Sequence, residues 1–354
     1  MSLCITVLTA IVFAAIIYYC MFYPQQSMPL GIECLVHTPQ PERYHNDCLH
    51  PCIRYVERGK WKGKYIMVQS PLYGGDESIE NPILYISDDC EHWSNGVVVH
   101  DTPLSGYNSD PALLVEDDRI FVFWREFDTP ACEKNGTNIA IFGCHTDDGI
   151  SFSEPILYLS NTYPNGSNGF PRADIAQCPI IMKRGDDYLI YGVVEDYENY
   201  TCQGISIWLG HSLLSPDFKL MGIWPMKPVI TVGKWIQKRV FGRLFYIPRP
   251  SRRMLWHFDL FEYQNTLYLV FGVGKGKDSI LLARADDWTH FRTYHKPLIN
   301  NLASECILGW RQYYYKSTAF VKEDEIHLFY TINNPLDHKQ NMLWHSVCPV
   351  NKVI

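Results

Sequence analysis

The sequence lacks a basic surplus. Its 354 residues hold 31 lysines and arginines against 38 acidic residues, a formal net charge of −7. Nucleic-acid binders usually present a basic face, so no nucleic-acid partner is expected. Long blocks of like charge and low-complexity tracts are also missing, which excludes a largely disordered chain. No Cys-x-x-Cys pair and no zinc-type Cys/His spacing occurs. Convincing amphipathic helical periods are absent too. What is present is a chain that is 47% hydrophobic and 14% aromatic, enough to bury a large core.

Charge is absent altogether from Leu3 to Tyr23, "LCITVLTAIVFAAIIYYCMFY". A helix needs roughly 20 apolar residues to cross a bilayer. This stretch has no basic n-region and no clear small-x-small cleavage site, which favours an uncleaved anchor over a signal peptide. No Lys or Arg flanks it closely, so the positive-inside rule does not orient it. The expected organisation is a transmembrane anchor or signal segment over 1–25, a linker over 26–44 and one domain over 45–354. Ten of the twelve cysteines follow the anchor, an even number suited to disulfides in an oxidising compartment. Asn135, Asn165 and Asn199 each open a glycosylation triplet. These signals place the domain outside the cytosol, membrane-anchored or secreted. The chain is expected to be a monomer that meets the membrane only through its N-terminal segment.

Beyond residue 45 one grammar recurs. In "DPALLVEDDRIFVFWRE" a proline opens an apolar run, an acidic turn follows, and a second apolar run ends in Arg-Glu. Proline cannot donate to a ladder and suits a strand start. The acidic residues suit a tight turn. The same order appears from His50, from Cys178, from His257 and from Lys316. The third run of the first four units ends near Ser/Thr/Ala-x-Asp and an aromatic: Trp93, Phe152, Phe218 or Phe291. Self-similarity at this spacing points to a repeat architecture. Three or four strands per unit fit β-propeller blades. A sandwich would recur less regularly. The predicted fold is therefore all-β, a five-bladed β-propeller preceded by one N-terminal hydrophobic helix.

In a propeller the innermost strands surround the axis. Aligned on their turns, the units place His50, Asp110, Cys178, His257 and Lys316 at one equivalent position. Leu49, Ser109, Gln177, Trp256 and Tyr315 lie one step earlier. A carboxylate near two histidines and a lysine marks a candidate site; a water-filled polar channel is the other reading.

These residues resemble the five-bladed propeller glycoside hydrolases of families 43 and 32, and less specifically the sialidase-like propellers. Elements shared with a related secreted group are His50-Pro51, Glu80-Asn81-Pro82, Asn108 to Pro111, Trp124 to Glu126, and Trp256 to Asp259. The resemblance implies a glycosidase with a base or nucleophile on blade one, a transition-state stabiliser on blade two and an acid on blade three. Asp110 matches the stabiliser. On blade one the nearest carboxylate is Asp47. On blade three Gln177 stands where the acid belongs, and an amide cannot donate a proton as an acid does. Glu126 and Glu195, each after the second strand of a blade, are the further catalytic candidates. His50, Arg125, Arg172, Asp174, Gln177, Trp256, His257, Asp259 and Lys316 are the substrate-binding candidates. Glu126 is alternatively a structural partner of Arg125 or Arg172, and Asp259 an orienter of His257.

Tyr73, Tyr107, Trp124, Trp256 and Tyr315 fall near strand ends, where rings can stack on sugars. Gly242 to His257 is locally basic, an exposed loop or, through Arg249, Arg252 and Arg253, a grip on an anionic sugar. No cofactor is required, although a channel-bound cation such as calcium is compatible with His50, His257, Asp110 and Asp259. The function read from sequence is hydrolysis of a polysaccharide or glycan; the alternative is carbohydrate binding without catalysis, favoured by Gln177.

Overall fold

Apolar runs separated by two-residue polar turns form the hairpins that the sequence predicts. Glu323-Asp324 and Gln264-Asn265 both take positive φ at their two residues, +52° and +60°, and +49° and +61°. That backbone matches the twist of a tight hairpin. The computed structural model describes residues 34–101, 106–137, 139–160, 173–196, 201–224, 229–240, 243–253, 255–273, 279–294, 298–300, 314–334 and 336–354.

Five antiparallel sheets follow one another along the chain. Blade one is Cys52–Tyr55, Tyr65–Gln69, Ile83–Ser87 and Val97–Val98. Blade two is Tyr107–Glu116, Arg119–Phe127, Ile139–Thr146 and Ile156–Ser160. Blade three is Ala173–Arg184, Asp187–Asp196, Thr201–Gly210 and Lys219–Trp224. Blade four is Leu255–Tyr263, Thr266–Val273, Ser279–Ala285 and Arg292–Thr293, with Ile299–Asn300 also on its third strand. Blade five is Tyr314–Lys322, Glu325–Asn333 and Asn341–Pro349. Its fourth strand is Cys34–Val36, in register with His345, Trp344 and Leu343. That segment was expected in a linker; it instead closes the ring non-covalently. Inner strands touch in the order one to five and back to one, a closed five-bladed propeller.

Between blades three and four stands a feature the sequence did not reveal. Val229–Val240 and Arg243–Arg253 pair with each other as a ribbon that joins none of the five sheets. The stretch read as a loop over Gly242 to His257 is therefore mostly strand.

The core lies between blades. Trp124, Tyr85, Tyr191 and Phe271 are among its largest fully buried side chains. Each contributes about 1.5–3 kcal/mol by leaving water. The repeated Asp-then-aromatic element has a local cause. Ser87 Oγ accepts the amide of Cys90 and Asp89 Oδ1 those of Glu91 and His92. Thr146 and Asp148 repeat the pattern with Gly149, Ile150 and Ser151, and Asp287 with Thr289 and His290. These carboxylates hold a turn at the outside of a blade, and the aromatic packs beneath it.

No disulfide forms among the described cysteines, Cys34, Cys48, Cys52, Cys90, Cys132, Cys144, Cys178 and Cys348. All but Cys34 are buried and serve as small apolar residues. The disulfides expected from the cysteine count are not supported. Leu3 to Tyr23, Asn165 and Asn199 lie outside the described residues. Among the described residues no helix is long and apolar enough to cross a membrane.

Candidate functional site

Every inner strand begins with the same irregularity. Ser109 pairs with Arg125 and Ala112 with Phe123, so three steps on one strand oppose two on the other. The same bulge separates Gln177 from Ile180, Leu255 from Phe258 and Tyr314 from Ser317. In blade one the amide of Leu49 bonds Ser70 O, and Cys52 pairs with Val68, which gives the same count. Bulges re-aim side chains and recur beside active sites. The two bulged residues are His50-Pro51, Asp110-Pro111, Cys178-Pro179, Trp256-His257 and Tyr315-Lys316. Alignment on the turns was therefore one residue off in blades four and five. His257 and Lys316 occupy the second bulge position, where the other blades have proline.

Asp110 and Cys178 have φ of +51° and +52°. A non-glycine residue held there costs on the order of 1–3 kcal/mol and persists where its surroundings enforce it. The prolines that follow donate no hydrogen bond, so the bulge loses nothing by holding them.

This backbone gathers a polar cluster around Asp110. Its Oδ1 lies 3.5 Å from His50 Nε2 and 3.4 Å from His257 Nδ1, and its Oδ2 lies 3.4 Å from Arg125 Nη2. His50 Nδ1 is 3.1 Å from Glu80 Oε1 and 3.0 Å from Ser70 Oγ. Cys178 Sγ is 2.8 Å from His257 Nδ1. The ring of Tyr315 stands 5.2 Å from that of His50 and 4.6 Å from that of His257. Asp110, His50, His257, Glu80 and Arg125 are all buried, while Tyr315 is half-buried.

Burial alone would raise the Asp110 pKa, yet His50, Arg125 and His257 together hold it well below the usual carboxylate range. Burial lowers the pKa of His50 against the opposing pull of Asp110 and Glu80. It raises that of Glu80, with His50 opposing. Neighbouring cationic groups thus favour the ionised form of Asp110, while burial disfavours the charged forms of His50 and Glu80.

Among the described residues, Asp110 Oδ1, both amide atoms of Asn108 and Oε1 of Gln177 are buried without a hydrogen-bond partner. Such atoms are rare in native proteins and call for an ion, a water or a ligand group. One donor atom each from His50, Asp110 and His257 lies within 4.8 Å of the others. The residues fit a cation. His50 can face it through Nε2 while Nδ1 meets Glu80, the arrangement that orients metal-binding histidines. Two imidazoles and a carboxylate suit a transition metal such as zinc or manganese better than calcium, which prefers oxygen donors. Asp259, counted with this set from sequence, stands apart from it.

Comparison with known proteins reveals the fold alone. No family model matches the chain, and no curated protein matches it. Its fold is similar to that of an N-acetylgalactosamine deacetylase from F. plautii, at 14% identity and a TM-score of 0.58, over 93% of this chain and 95% of that one. A family 117 glycoside hydrolase from Zobellia galactanivorans gives 12% identity and 0.55, over 92% of each chain. A GH43 protein from Bacillus licheniformis gives 11% and 0.53, over 87% of this chain and 56% of that one. The chain therefore spans about half of that last protein.

The other candidates fall in different places. Asp47 is buried and its oxygens accept from the amides of Leu72 and Asn341 and from Asn341 Nδ2, a clamp between blades one and five. Glu126 accepts from Trp124 Nε1 and Thr129 Oγ1, with His100 Nε2 at 3.4 Å. Arg125, offered as its structural partner, faces Asp110 instead. Asp259 does not orient His257; it accepts both guanidinium arms of Arg54 and the hydroxyl of Thr318. Lys316 is buried and donates to Pro111 O at 3.2 Å. Trp124 is fully buried, which excludes it as a sugar platform. Tyr73 stacks on His45, and Tyr107 on Phe127. Glu195 and Asp174 are register partners in blade three. Their side chains, that of Trp256 and all of Arg172 lie outside the described residues. Glu80 was missed as a site residue. Its signal was the Glu-Asn-Pro element, read only as a shared motif.

Proposed function

We propose that the protein is a hydrolase of carbohydrate, of the glycosidase type, acting where the five inner strands begin. The observation that carries this reading is Asp110 Oδ1, buried between two imidazoles with no hydrogen bond of its own. Fold likeness to glycoside hydrolases supports it, as analogy. Glycosidic cleavage needs a proton donor for the leaving oxygen and a base or nucleophile for the other face. Asp110, gripped by Arg125 and two histidines, is a poor nucleophile and serves as a fixed negative charge near the developing cation. Burial raises the Glu80 pKa, and His50 connects Glu80 to the centre. That pair supplies the acid which Gln177 cannot.

A second reading rests on the donor set of His50, Asp110 and His257. It is metal-assisted removal of an acyl group from a sugar, and likeness to the F. plautii deacetylase supports it. A bound divalent cation would polarise the scissile bond and acidify a water. The chain's own part is to orient His50 through Glu80 and to keep Asp110 ionised.

The test is a panel of aryl glycosides, polysaccharides and acetylated sugars offered to the full chain, with and without chelator, beside Asp110→Asn. Glycosidic turnover lost in the variant supports the first reading. Acetate release abolished by chelation supports the second. Sugar binding without either product would leave a non-catalytic binding propeller.

A further inference from the structure

The ribbon between blades three and four has a composition unlike the rest of the chain. Its strands, Val229–Val240 and Arg243–Arg253, hold seven basic residues and no acidic one. The chain's net charge is −7, so everything outside the ribbon sums to −14. The register leaves these charges without cross-strand acidic neighbours. Arg253 is opposite Val229, Arg252 opposite Ile230, Lys238 opposite Phe245, Arg239 opposite Leu244 and Arg243 opposite Val240. Opposite charges across a pair would have stabilised the ribbon; here five of the seven cations stand opposite an apolar residue in the register. A two-stranded ribbon is marginal by itself. Positive charge concentrated on such an element, with no acidic residue in either strand, is a feature of recognition rather than of folding.

Its position narrows what is recognised. Arg253 precedes His257 by four residues, so the base of the ribbon lies no more than about 14 Å of chain from the Asp110 cluster. Twelve residues of strand extend about 40 Å. A ligand that touches both ribbon and site is therefore long and repeatedly charged.

We propose that the ribbon is a recognition arm for an anionic polysaccharide, one bearing carboxylates or sulfates along its length. The inference rests on the carbohydrate reading and narrows it to acidic rather than neutral chains. Arginine forks suit both anions. An anionic lipid surface would match the charge alone, but gives no reason for the ribbon to be rooted beside the site.

The experiment uses the full chain and three variants: Asp110→Asn, the triple Arg249→Gln/Arg252→Gln/Arg253→Gln, and the triple Lys238→Gln/Arg239→Gln/Arg243→Gln. The probes are polygalacturonate, chondroitin sulfate, neutral arabinan and phosphatidylserine vesicles. Dissociation constants are measured at about 50 and 200 mM NaCl, where screening differs strongly. The wild type should bind one of the two acidic glycans at least about tenfold more tightly than arabinan and lose that margin in the higher salt. Either ribbon triple, with an unchanged thermal melt, should lose about tenfold in that affinity. The second triple keeps the test open if the first fails to fold. Turnover is followed in parallel, with Asp110→Asn as the turnover control, so that failure of the hydrolase reading is visible separately as wild-type binding without turnover. Equal affinity for arabinan and both acidic glycans overturns the inference. So does binding confined to vesicles, or folded triples that bind as the wild type does.

Discussion

Arg54 of blade one and Asp259 of blade four form a two-armed ion pair, Nη1 to Oδ2 and Nη2 to Oδ1 both at 2.7 Å. Thr318 of blade five donates to the same carboxylate and accepts the amide of Ile53. Three blades that meet in the ring are thus tied by one buried carboxylate. Removing one partner leaves the other charge buried and uncompensated. Asp259→Asn or Arg54→Met should therefore cost about 3–5 kcal/mol of stability. Urea denaturation at neutral pH measures it. A loss under about 1 kcal/mol would mean that the pair is solvated in solution.

Glu80 is predicted to act through His50. Glu80→Gln should weaken zinc or manganese binding about 10- to 100-fold, as loss of an orienting partner does. His50→Phe should abolish it. Isothermal titration with the metal alone reads both, and circular dichroism checks the fold. If Glu80→Gln binds as the wild type does while His50→Phe does not, Glu80 has no positioning role.

The seam that closes the ring should respond to acid. His345, opposite Cys34, has its Nε2 3.0 Å from His327 Nδ1. Phe329 stacks on His345 at 4.1 Å and Phe320 on His327 at 4.8 Å. Burial, with Lys322 adding for His327 and His327 adding for His345, pushes both pKa values down to about 4. The folded state then binds fewer protons than the unfolded one between about 6.5 and 4. Stability contributed here is full above the unfolded value and falls away on acidification through that window. The double variant His327→Phe/His345→Phe should show a shallower decline in urea midpoint between roughly pH 7 and pH 4.5. Parallel declines for both proteins would place the acid sensitivity elsewhere.

Gly106 opens the approach to the inner strand of blade two at φ +77°, and a Cβ there would lie 2.2 Å from the carbonyl oxygen of Phe127. Gly106→Ala should cost roughly 1–3 kcal/mol and displace Tyr107 and its neighbours. Thermal denaturation and turnover should both fall. An unchanged melting temperature would contradict the close approach.

Much of the propeller was legible because its signals are local. Pro111 after Asp110, the Glu323-Asp324 turn and the Thr146–Phe152 element each act over a few residues. Their repetition in order exposed the five blades. The inner-strand bulges were not legible, since a bulge is a relation between two strands. That is why His257 and Lys316 were set one step off. The closing strand Cys34–Val36 was hidden by its length, three residues paired with a segment three hundred positions away. Glu80 and Asp259 look alike in sequence; one faces His50 and the other Arg54 only because of what the ring brings to each.

The sequence by itself determined that strands of this period and turns of this chemistry must form five similar sheets, with Asp110 at an inner strand start. Tertiary structure alone decided which charges meet across the axis, which carboxylates are occupied by peptide amides and which one is left between two imidazoles. Hairpins are fixed by neighbours along the chain, whereas a partner across the ring exists only once all five blades have closed.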